Sequence, residues 1–198
     1  MSSAPAALVA GGRRLAARGL VCGSVGNLSV RDGDRVLVTP TRVPYQAMTE
    51  EDLVTVDLDG ERIAGRRAPS RELALHLAIY RARPDVAAVV HAHGPHAVAW
   101  SFLGVPLAPA IEEAEYYDVG TVRVAAAAPA GSAELGAAAA AALRGSAAVL
   151  LARHGVVSVA GDLERALVLA DVVEHHAQIA CLLRAMGAPA PEPPPARA

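Results

Sequence analysis

Residues 85–94 are DVAAVVHAHG, an apolar run of strand length that ends in two histidines and a glycine. A second run of the same kind, AAVLLARHG, spans residues 147–155. Both patterns predict buried β-strands that present imidazole groups at a strand end. Because side chains alternate across a strand, His91 and His93 point to the same side, and a neighbouring strand can bring His154 beside them.

Three imidazoles arranged in this way are typical ligands of a catalytic zinc ion, which keeps a fourth position open for water or substrate. An isolated His-x-His pair is more often an ordinary polar strand end. The second strand with a terminal histidine favours the metal site instead. We therefore predict a metal centre formed by His91, His93 and His154.

The size and charge of the chain limit its function class. Its 198 residues fit one domain, long enough to bury roughly 70% of the surface that the unfolded chain exposes. The net charge is −2, from 18 basic and 20 acidic residues scattered along the chain. This composition predicts no nucleic-acid partner and no polybasic membrane anchor, so a small polar substrate is expected.

The two cysteines and the amino terminus favour the cytoplasm. Cys22 and Cys181 form neither a C-x-x-C pair nor a disulfide framework, which fits a reducing compartment. Arg13 and Arg14 follow the first apolar residues instead of preceding them, unlike the order in a signal peptide. No uninterrupted apolar run approaches the roughly 20 residues that span a bilayer, so no membrane partner is expected.

Hydrophobic periodicity and turn residues predict alternating strands and helices. Besides the two histidine strands, the predicted strands are 27–31, 35–39, 53–58, 121–126 and 156–159. The predicted helices are 5–18, 71–81 with Ser70 as its N-cap, one opening at 94–95, 132–143, and a long final helix capped by Asp162. We predict one α/β domain over residues 1–188, and a disordered tail over residues 189–198, which contain five prolines.

Three loops carry groups that suit an anion. Residues 24–27 and 39–45 are rich in backbone donors and hydroxyls. Residues 69–72 add a hydroxyl, a guanidinium and a carboxylate at a predicted helix amino terminus, where backbone N–H groups favour negative charge. Glu72 has two interpretations, as a helix-stabilising residue or as a metal contact and general base. His76, His96, His175 and His176 are assigned no role.

These motifs resemble, in order and spacing, those of the class II aldolase and adducin family. The resemblance runs from about Leu8 to Met186. The matching segments are Gly26–Arg31, Thr39–Thr41, Pro44–Tyr45, Pro69–Ser70, Glu72, His91–His93 and Arg153–Gly155. The resemblance implies a mixed, largely antiparallel central sheet layered between helices, and a cytoplasmic homotetramer with active sites at subunit interfaces.

The resemblance also implies roles for individual residues. His91, His93 and His154 would hold Zn²⁺, although imidazoles also accept Mn²⁺ or Fe²⁺. Glu72 matches the catalytic acid/base of the family, which also contacts the ion when substrate is absent. The residues that match the anion site of the family are Gly26, Asn27, Thr41, Arg42, Ser70 and Arg71.

The activity implied is that of a lyase. It would cleave a phosphorylated ketose, such as L-fuculose 1-phosphate, through a metal-stabilised enediolate. The alternative is a metal-dependent decarboxylase or dehydratase of the same family, acting on a carboxylated or phosphorylated polyol. Epimerases of the family carry aspartate in place of Glu72, and adducin-like interaction modules lose the histidines, so this sequence disfavours both.

The chain departs from the phosphosugar aldolases of the family at two anion-site positions. Arg42 and Arg71 stand where glycine and serine are usual. Two guanidiniums suit a phosphate or a carboxylate equally well, and either side chain could instead face solvent. Near the position of a family tyrosine, residues 112–115 form an acidic cluster before Tyr116 and Tyr117, either of which is a candidate proton donor.

Overall fold

The computed structural model describes residues 3–109 and 111–188. Its strands are β1 (Asn27–Asp32), β2 (Arg35–Val38), β3 (Val54–Asp57), β4 (Arg62–Ala64), β5 (Ala88–Ala92), β6 (Arg123–Ala125), β7 (Ala148–Leu151) and β8 (Gly155–Ala160). Its α-helices are α1 (Ala4–Ala17), α2 (Leu73–Ala82), α3 (Pro95–Ser101), α4 (Glu112–Tyr116), α5 (Ala133–Leu143) and α6 (Leu163–Ala185). A 3-10 helix spans Glu50–Asp52.

All eight strands belong to one sheet, in the order β4-β3-β2-β1-β5-β8-β7-β6. Only β6 and β7 are parallel, and every other neighbouring pair is antiparallel. The predicted mixed, largely antiparallel sheet is therefore confirmed. Strand β5 lies at the centre, between β1 and β8, and all five of its residues are buried. A strand covered on both faces needs a continuous apolar sequence, which explains the run before His91.

The helices cover both faces of the sheet and form two hydrophobic cores. Helices α2 and α5 pack on one face, and α1, α3, α4 and α6 pack on the other. On the α2 face, α5 is rich in alanine and approaches α2 closely. A Cβ added at Gly136 would lie 2.8 Å from the carbonyl oxygen of Ala74, so a side chain there would push the two helices apart. Small residues of α5 thus set the position of α2, which begins just after Glu72.

Helix α6 is the longest helix and packs against the centre of the sheet. Seven of its apolar residues are buried against the sheet and its neighbours, namely Leu163, Ala166, Leu167, Ala170, Val173, Ala177 and Ala180. By length and composition alone, α6 is also long and apolar enough to cross a membrane, but half of that stretch is buried inside the fold. The sequence of α6 contains no long uninterrupted apolar run, because charged residues occur along the helix.

The structure corrects several sequence predictions. Helix α2 begins at Leu73, not at residue 71, and its N-cap is Glu72, not Ser70. The Ser70 hydroxyl instead accepts a hydrogen bond from the Glu72 backbone N–H at 3.2 Å, which makes a turn before the helix. Strand β4, helix α4 and the 3-10 helix were not predicted, because each is too short to show a period. The predicted disordered tail lies outside the described residues.

Candidate metal centre and active site

Two neighbouring strands bring the three histidines together. His91 lies in β5 and His93 follows that strand, while His154 ends the turn that joins β7 to β8. Strand β8 pairs with β5 and places Val157 opposite His91. The turn requires a left-handed backbone at Arg153, with a φ angle of 57°. The β7–β8 hairpin therefore returns the chain so that His154 faces the end of β5.

The three imidazoles form a compact cluster. The ring centroids of His91 and His93 are 4.7 Å apart, and His154 lies 4.9 Å from each of them. The Nε2 atoms of His91 and His93 are 2.9 Å apart. One ligand atom from each histidine and one from Glu72 all lie within 4.8 Å of one another. This is the grouping of donors that holds one divalent cation.

The surroundings of His91 leave its Nε2 atom free to act as a ligand. Its Nδ1 atom lies 3.0 Å from the carbonyl oxygen of Val156, which accepts a hydrogen bond, so the proton of a neutral ring is on Nδ1. Gly155 is required beside this ring, because a Cβ there would lie 2.4 Å from the Ala92 carbonyl oxygen and 3.1 Å from Cε1 of His91. This close approach explains the glycine that follows His154.

The electrostatics of the cluster favour the neutral form of His93 and His154, the form that binds metal ions. Burial, together with the charges of neighbouring histidines, lowers the pKa of His93 to about 3. Burial and the His91 charge also lower the pKa of His154. Both rings therefore keep a free nitrogen lone pair near neutral pH.

Glu72 adds a carboxylate to this cluster from the start of α2. Its Oε2 atom accepts a hydrogen bond from Asn27 Nδ2 at 2.9 Å and lies 3.1 Å from His91 Nε2. Its Oε1 atom lies 3.3 Å from His154 Nε2, and no hydrogen-bond partner for this buried atom is found among the described residues. Burial alone would raise the pKa of Glu72, but the contacts with His91, Asn27 and His154 lower it below its usual range.

These observations fit a divalent cation. A buried carboxylate oxygen without a hydrogen-bond partner is costly unless a cation or another donor is supplied. Three imidazoles and one carboxylate are a donor set that Zn²⁺, Mn²⁺ and Fe²⁺ all accept. The cluster is thus able to hold a metal ion, and its geometry does not select one of the three.

A cavity of about 490 Å³ opens in front of the cluster. Glu72, His93 and His154 form part of its wall. The six residues predicted to bind an anion all line it, namely Gly26, Asn27, Thr41, Arg42, Ser70 and Arg71. The sequence prediction therefore grouped these residues correctly in space, although their binding role stays a prediction. Tyr116 and Tyr117 are not among the described residues that line the cavity.

Backbone hydrogen bonds join the loops around this cavity. The Ser70 N–H donates to the Thr39 carbonyl at 3.1 Å, and the Thr41 N–H donates to the Ala68 carbonyl at 3.1 Å. The Thr39 hydroxyl accepts a hydrogen bond from the backbone N–H of Leu28 in β1. Strand β1 and the two loops are therefore connected, and the predicted anion-binding groups lie on one rim.

Arg42 and Arg71 are exposed at the edge of the cavity. Within residues 3–109 and 111–188, no hydrogen bond or ion pair is found for either guanidinium. Arg42 also adopts a φ angle of 59°, in the left-handed region that a long side chain rarely occupies. Two guanidiniums without a protein partner, one on a strained backbone, are suited to binding an anionic substrate.

His76 is a site neighbour that the sequence reasoning missed. It is fully buried, and its Nε2 atom lies 2.5 Å from Oδ1 of Asn27, the residue that donates to Glu72. The spacing of Glu72 and His76, four residues apart at the start of one helix, is the only sequence signal for this proximity. His96 lies elsewhere and pairs with Glu174 at 2.8 Å.

Comparisons with known proteins agree with this geometry. The model of the family described as Class II Aldolase and Adducin N-terminal domain matches residues 6–181. A 5-deoxy-D-ribulose 1-phosphate aldolase from Bacillus thuringiensis serovar kurstaki is 36% identical over 184 residues, which cover 92% of this chain and 86% of the relative. An L-fuculose phosphate aldolase from Escherichia coli K12 is 40% identical over 174 residues, which cover 87% of this chain and 80% of the relative.

A solved structure shows the same similarity in three dimensions. The structure of an L-fuculose 1-phosphate aldolase has a TM-score of 0.89 and 35% sequence identity to this chain. The match covers 98% of this chain and 93% of the other. The similarity therefore includes every strand and helix that carries the candidate site.

Proposed function

Because the chain belongs to the class II aldolase and adducin family, we propose that it is a zinc-dependent aldehyde-lyase that cleaves a phosphorylated ketose such as L-fuculose 1-phosphate. Its aldolase relatives at 36% and 40% identity make it a class II aldolase, which is a metal-dependent class of enzyme. The proposal depends on one observation above all. Three imidazoles lie beside a Glu72 oxygen that has no hydrogen-bond partner among the described residues, and two of these imidazoles and Glu72 line a cavity together with the proposed anion-binding residues.

We assign the metal site to His91, His93, His154 and Glu72. A divalent cation bound there would polarise the ketose carbonyl and stabilise the enediolate that remains after carbon–carbon bond cleavage. Neutral imidazoles leave the full charge of the cation available for this purpose. Zinc is our choice because three histidines with one exchangeable position are the common catalytic zinc site, and Mn²⁺ and Fe²⁺ are the alternatives.

The phosphate of the substrate would bind at the rim of the cavity. Gly26 would contribute its backbone N–H, Thr41 and Ser70 would contribute their hydroxyls, and Asn27 lines the same rim. Arg42 and Arg71 contribute the charge, because charge-assisted hydrogen bonds to phosphate are about twice as strong as neutral ones. Binding the phosphate on this rim would place the carbonyl end of the ketose towards Glu72 and the histidines.

Glu72 is the proposed acid/base. Cleavage breaks a carbon–carbon bond of the ketose, releases an aldehyde, and leaves an enediolate carbon that must gain a proton. Glu72 is positioned to give and take this proton, because Oε2 is anchored by Asn27 whereas Oε1 has no hydrogen-bond partner among the described residues. A second group must take the hydroxyl proton of the bond that breaks and donate it in the reverse reaction, and Tyr116 or Tyr117 is our candidate.

The two arginines support a second candidate function. A planar guanidinium binds a carboxylate in the same forked geometry as a phosphate. A metal-dependent decarboxylase or dehydratase acting on a carboxylated or phosphorylated polyol would use the same metal centre and the same Glu72. Arg42 and Arg71 do not distinguish this candidate from the lyase. Only tests with different substrates can separate the two functions.

We further propose that the protein is a cytoplasmic homotetramer and that residues 1–188 form one catalytic domain. Several large apolar side chains are exposed on the single chain, including Phe102, Tyr116 and Met186, which are 62%, 76% and 81% exposed. We offer these side chains as candidate subunit contacts, since contiguous exposed apolar surface is what associating proteins bury. Analytical ultracentrifugation that finds a monomer at micromolar concentration would contradict this assembly.

The function is tested by a substrate screen on zinc-loaded protein. L-fuculose 1-phosphate and 5-deoxy-D-ribulose 1-phosphate are compared with hydroxy acids and keto acids of similar size. We expect cleavage of at least one ketose 1-phosphate, detected as release of a three-carbon ketone phosphate by a coupled dehydrogenase. Carbon dioxide or water release from the acids, without cleavage of any ketose phosphate, would favour the second candidate and contradict the first.

A further inference from the structure

A continuous line of buried polar groups lies behind the metal centre, between β1 and α2. Tyr80 OH lies 2.7 Å from Ser29 Oγ, which lies 2.6 Å from His76 Nδ1. His76 Nε2 then lies 2.5 Å from Asn27 Oδ1, and Asn27 Nδ2 lies 2.9 Å from Glu72 Oε2. All five residues are buried, and both His76 and Ser29 are fully so. Most buried polar groups in folded proteins are hydrogen-bonded, and each neighbouring pair in this line lies within hydrogen-bonding distance.

The carboxylate of Glu72, at the end of this line, fixes the direction of every hydrogen bond in it. An ionised carboxylate only accepts, so Asn27 must turn its NH₂ group towards Glu72. Its Oδ1 atom then faces His76 and needs a donor, which is the Nε2–H of the ring. A neutral ring protonated on Nε2 has a lone pair on Nδ1, which accepts from the Ser29 hydroxyl. The oxygen of Ser29 is left to accept from Tyr80.

The protonation states of His76 and Tyr80 agree with these hydrogen-bond directions. Burial lowers the pKa of His76 to about 3, with a further contribution from the charge on His91, so the ring is neutral and carries one proton. Burial raises the pKa of Tyr80, so its hydroxyl keeps the proton that it donates. Neither residue is a metal ligand, and neither lines the cavity.

We propose that His76 and Ser29 are positioning residues that act through Asn27, holding its amide so that Oε2 of Glu72 is anchored and Oε1 faces the histidine cluster. Without His76, the Asn27 amide is free to rotate and to present its oxygen to the carboxylate, which would repel it. The carboxylate would then turn away from the reacting position. The catalytic consequence rests on the proposed role of Glu72, whereas the orientation of the amide and carboxylate does not.

A purely structural network would behave differently. Removing one member of any buried polar network costs stability, whatever the network faces. A positioning network must also change the reaction at Glu72, and its effect must vanish when Glu72 no longer moves protons. Two measurements separate these cases, and the first does not need any activity.

The first measurement is the tautomer of His76 in the zinc-loaded protein, from ¹⁵N-resolved NMR of labelled histidine side chains. We expect the Nε2–H tautomer throughout the neutral pH range, assigned by the loss of its signals in His76→Gln. In Ser29→Ala, which removes the donor to Nδ1, we expect the Nδ1 signal to shift. A ring protonated on Nδ1 in the wild-type protein would overturn the proposed direction and the orientation of Asn27.

The second measurement is a double-mutant cycle on the reaction. His76→Leu should lower kcat by about tenfold or more, the usual loss when a group that orients a ligand is removed, with a much smaller change in KM. His76→Gln keeps a donor to Asn27 and should recover part of the loss. In the Glu72→Gln background, His76→Leu should cause no further decrease. The same proportional decrease in both backgrounds would show a merely structural role and would overturn the proposal.

His176→Leu is the matched control, because His176 is also a fully buried helical histidine but lies outside the line to Glu72. It should leave kcat within about twofold, because it removes no group that orients the carboxylate. If His76→Leu does not fold, Ser29→Ala replaces it in the cycle. Wild-type protein that shows the Nε2–H tautomer but cleaves no ketose 1-phosphate would support the orientation of Glu72 and contradict the proposed function, so the two failures are distinguishable.

Discussion

The orientation of the His91 ring in the cluster is fixed by the hydrogen bond from its Nδ1 to the Val156 carbonyl. Such a bond fixes both the tautomer and the ring plane, which raises the affinity of Nε2 for a cation. His93 and His154 complete the donor set from the end of β5 and from the β7–β8 turn. At the scale of single residues, each imidazole therefore contributes one ligand atom to the proposed metal site.

Changing His93 or His154 to alanine should remove the metal. We expect about one divalent ion per chain in the wild-type protein and much less in either variant, because each change removes one nitrogen ligand from the cluster and leaves a gap where that imidazole stood. His96→Ala is the control, since His96 pairs with Glu174 outside the cluster. Elemental analysis of the purified proteins decides, and full metal occupancy in both variants would refute this ligand assignment.

Arg42 and Arg71 should control substrate affinity. Replacing either with alanine should raise KM on the order of tenfold by removing a charge-assisted hydrogen bond to the anion, while the metal content stays unchanged. Arg42→Gly should raise KM equally without loss of stability, because glycine tolerates the φ angle of 59° at this position.

Arg35→Ala is the matched control for these variants, because Arg35 is an exposed arginine of β2 that does not line the cavity. Steady-state kinetics on the identified substrate are the measurement. Unchanged KM in both Arg42→Ala and Arg71→Ala would mean that the guanidiniums face solvent, and the phosphate or carboxylate would then bind elsewhere.

At the scale of elements, the turn into β1 is shaped by the strand beside it. Gly26 has a φ angle of 75°, and a Cβ there would lie 2.7 Å from the backbone carbonyl oxygen of His91. Gly23 has a similar φ angle of 62° but no neighbouring atom within 4 Å. Alanine at either position must adopt an unfavourable left-handed backbone conformation. Only at position 26 would it also push against the backbone of β5.

Gly26→Ala should therefore destabilise the protein more than Gly23→Ala does. We expect roughly 1 kcal/mol for Gly23→Ala from backbone strain alone, and 2 kcal/mol or more, on the order of a steric displacement in the core, for Gly26→Ala. Chemical denaturation of the two variants measures the difference. Equal losses of unfolding free energy would show that β1 and β5 do not approach as closely as described.

The elements that carry the histidines were predictable, whereas the contacts behind them were not. An apolar run that ends in His-x-His determines a buried strand and the side on which both rings lie, from side-chain alternation alone. The N-cap at Ser70 was wrong because the same hydroxyl can cap a helix or close a turn, and only the backbone conformation distinguishes them. His76 and Ser29 are 47 residues apart, so their contact depends on how α2 packs on β1.

At the scale of the whole molecule, buried histidines make stability depend on pH. The pKa of His76 is lowered from 6.5 to about 3, first by burial and then by the charge on His91. Between these values the unfolded chain binds a proton at this residue that the folded protein does not bind. The contribution of His76 to stability is therefore complete above about pH 6.5 and is lost as the pH falls towards 3.

His76→Gln should remove this dependence. The slope of unfolding free energy against pH should be smaller in the variant by about 1.4 kcal/mol per pH unit below pH 6.5, the value for one proton. Urea denaturation at a series of acidic pH values measures both slopes. Parallel curves for the wild-type and variant proteins would show that the pKa of the His76 ring is the same in the folded and unfolded states.

The same sheet also brings residues from distant segments of the chain together around Glu72, the proposed acid/base. If Glu72 only stabilises the start of α2, Glu72→Gln should cost a few tenths of a kcal/mol of stability and leave turnover intact. If Glu72 transfers the proton, the variant should still bind metal and substrate, because glutamine keeps an oxygen that accepts from Asn27. Glu134→Gln is the control, since Glu134 lies in the first turn of α5.

The most direct measurement is therefore kcat of Glu72→Gln on the identified ketose phosphate, at confirmed metal occupancy. We expect a decrease of roughly 10²- to 10⁴-fold, the usual contribution of a positioned acid or base. KM should change little, and Glu134→Gln should turn over at the wild-type rate. Turnover by Glu72→Gln at the wild-type rate would contradict a proton-transfer role for Glu72.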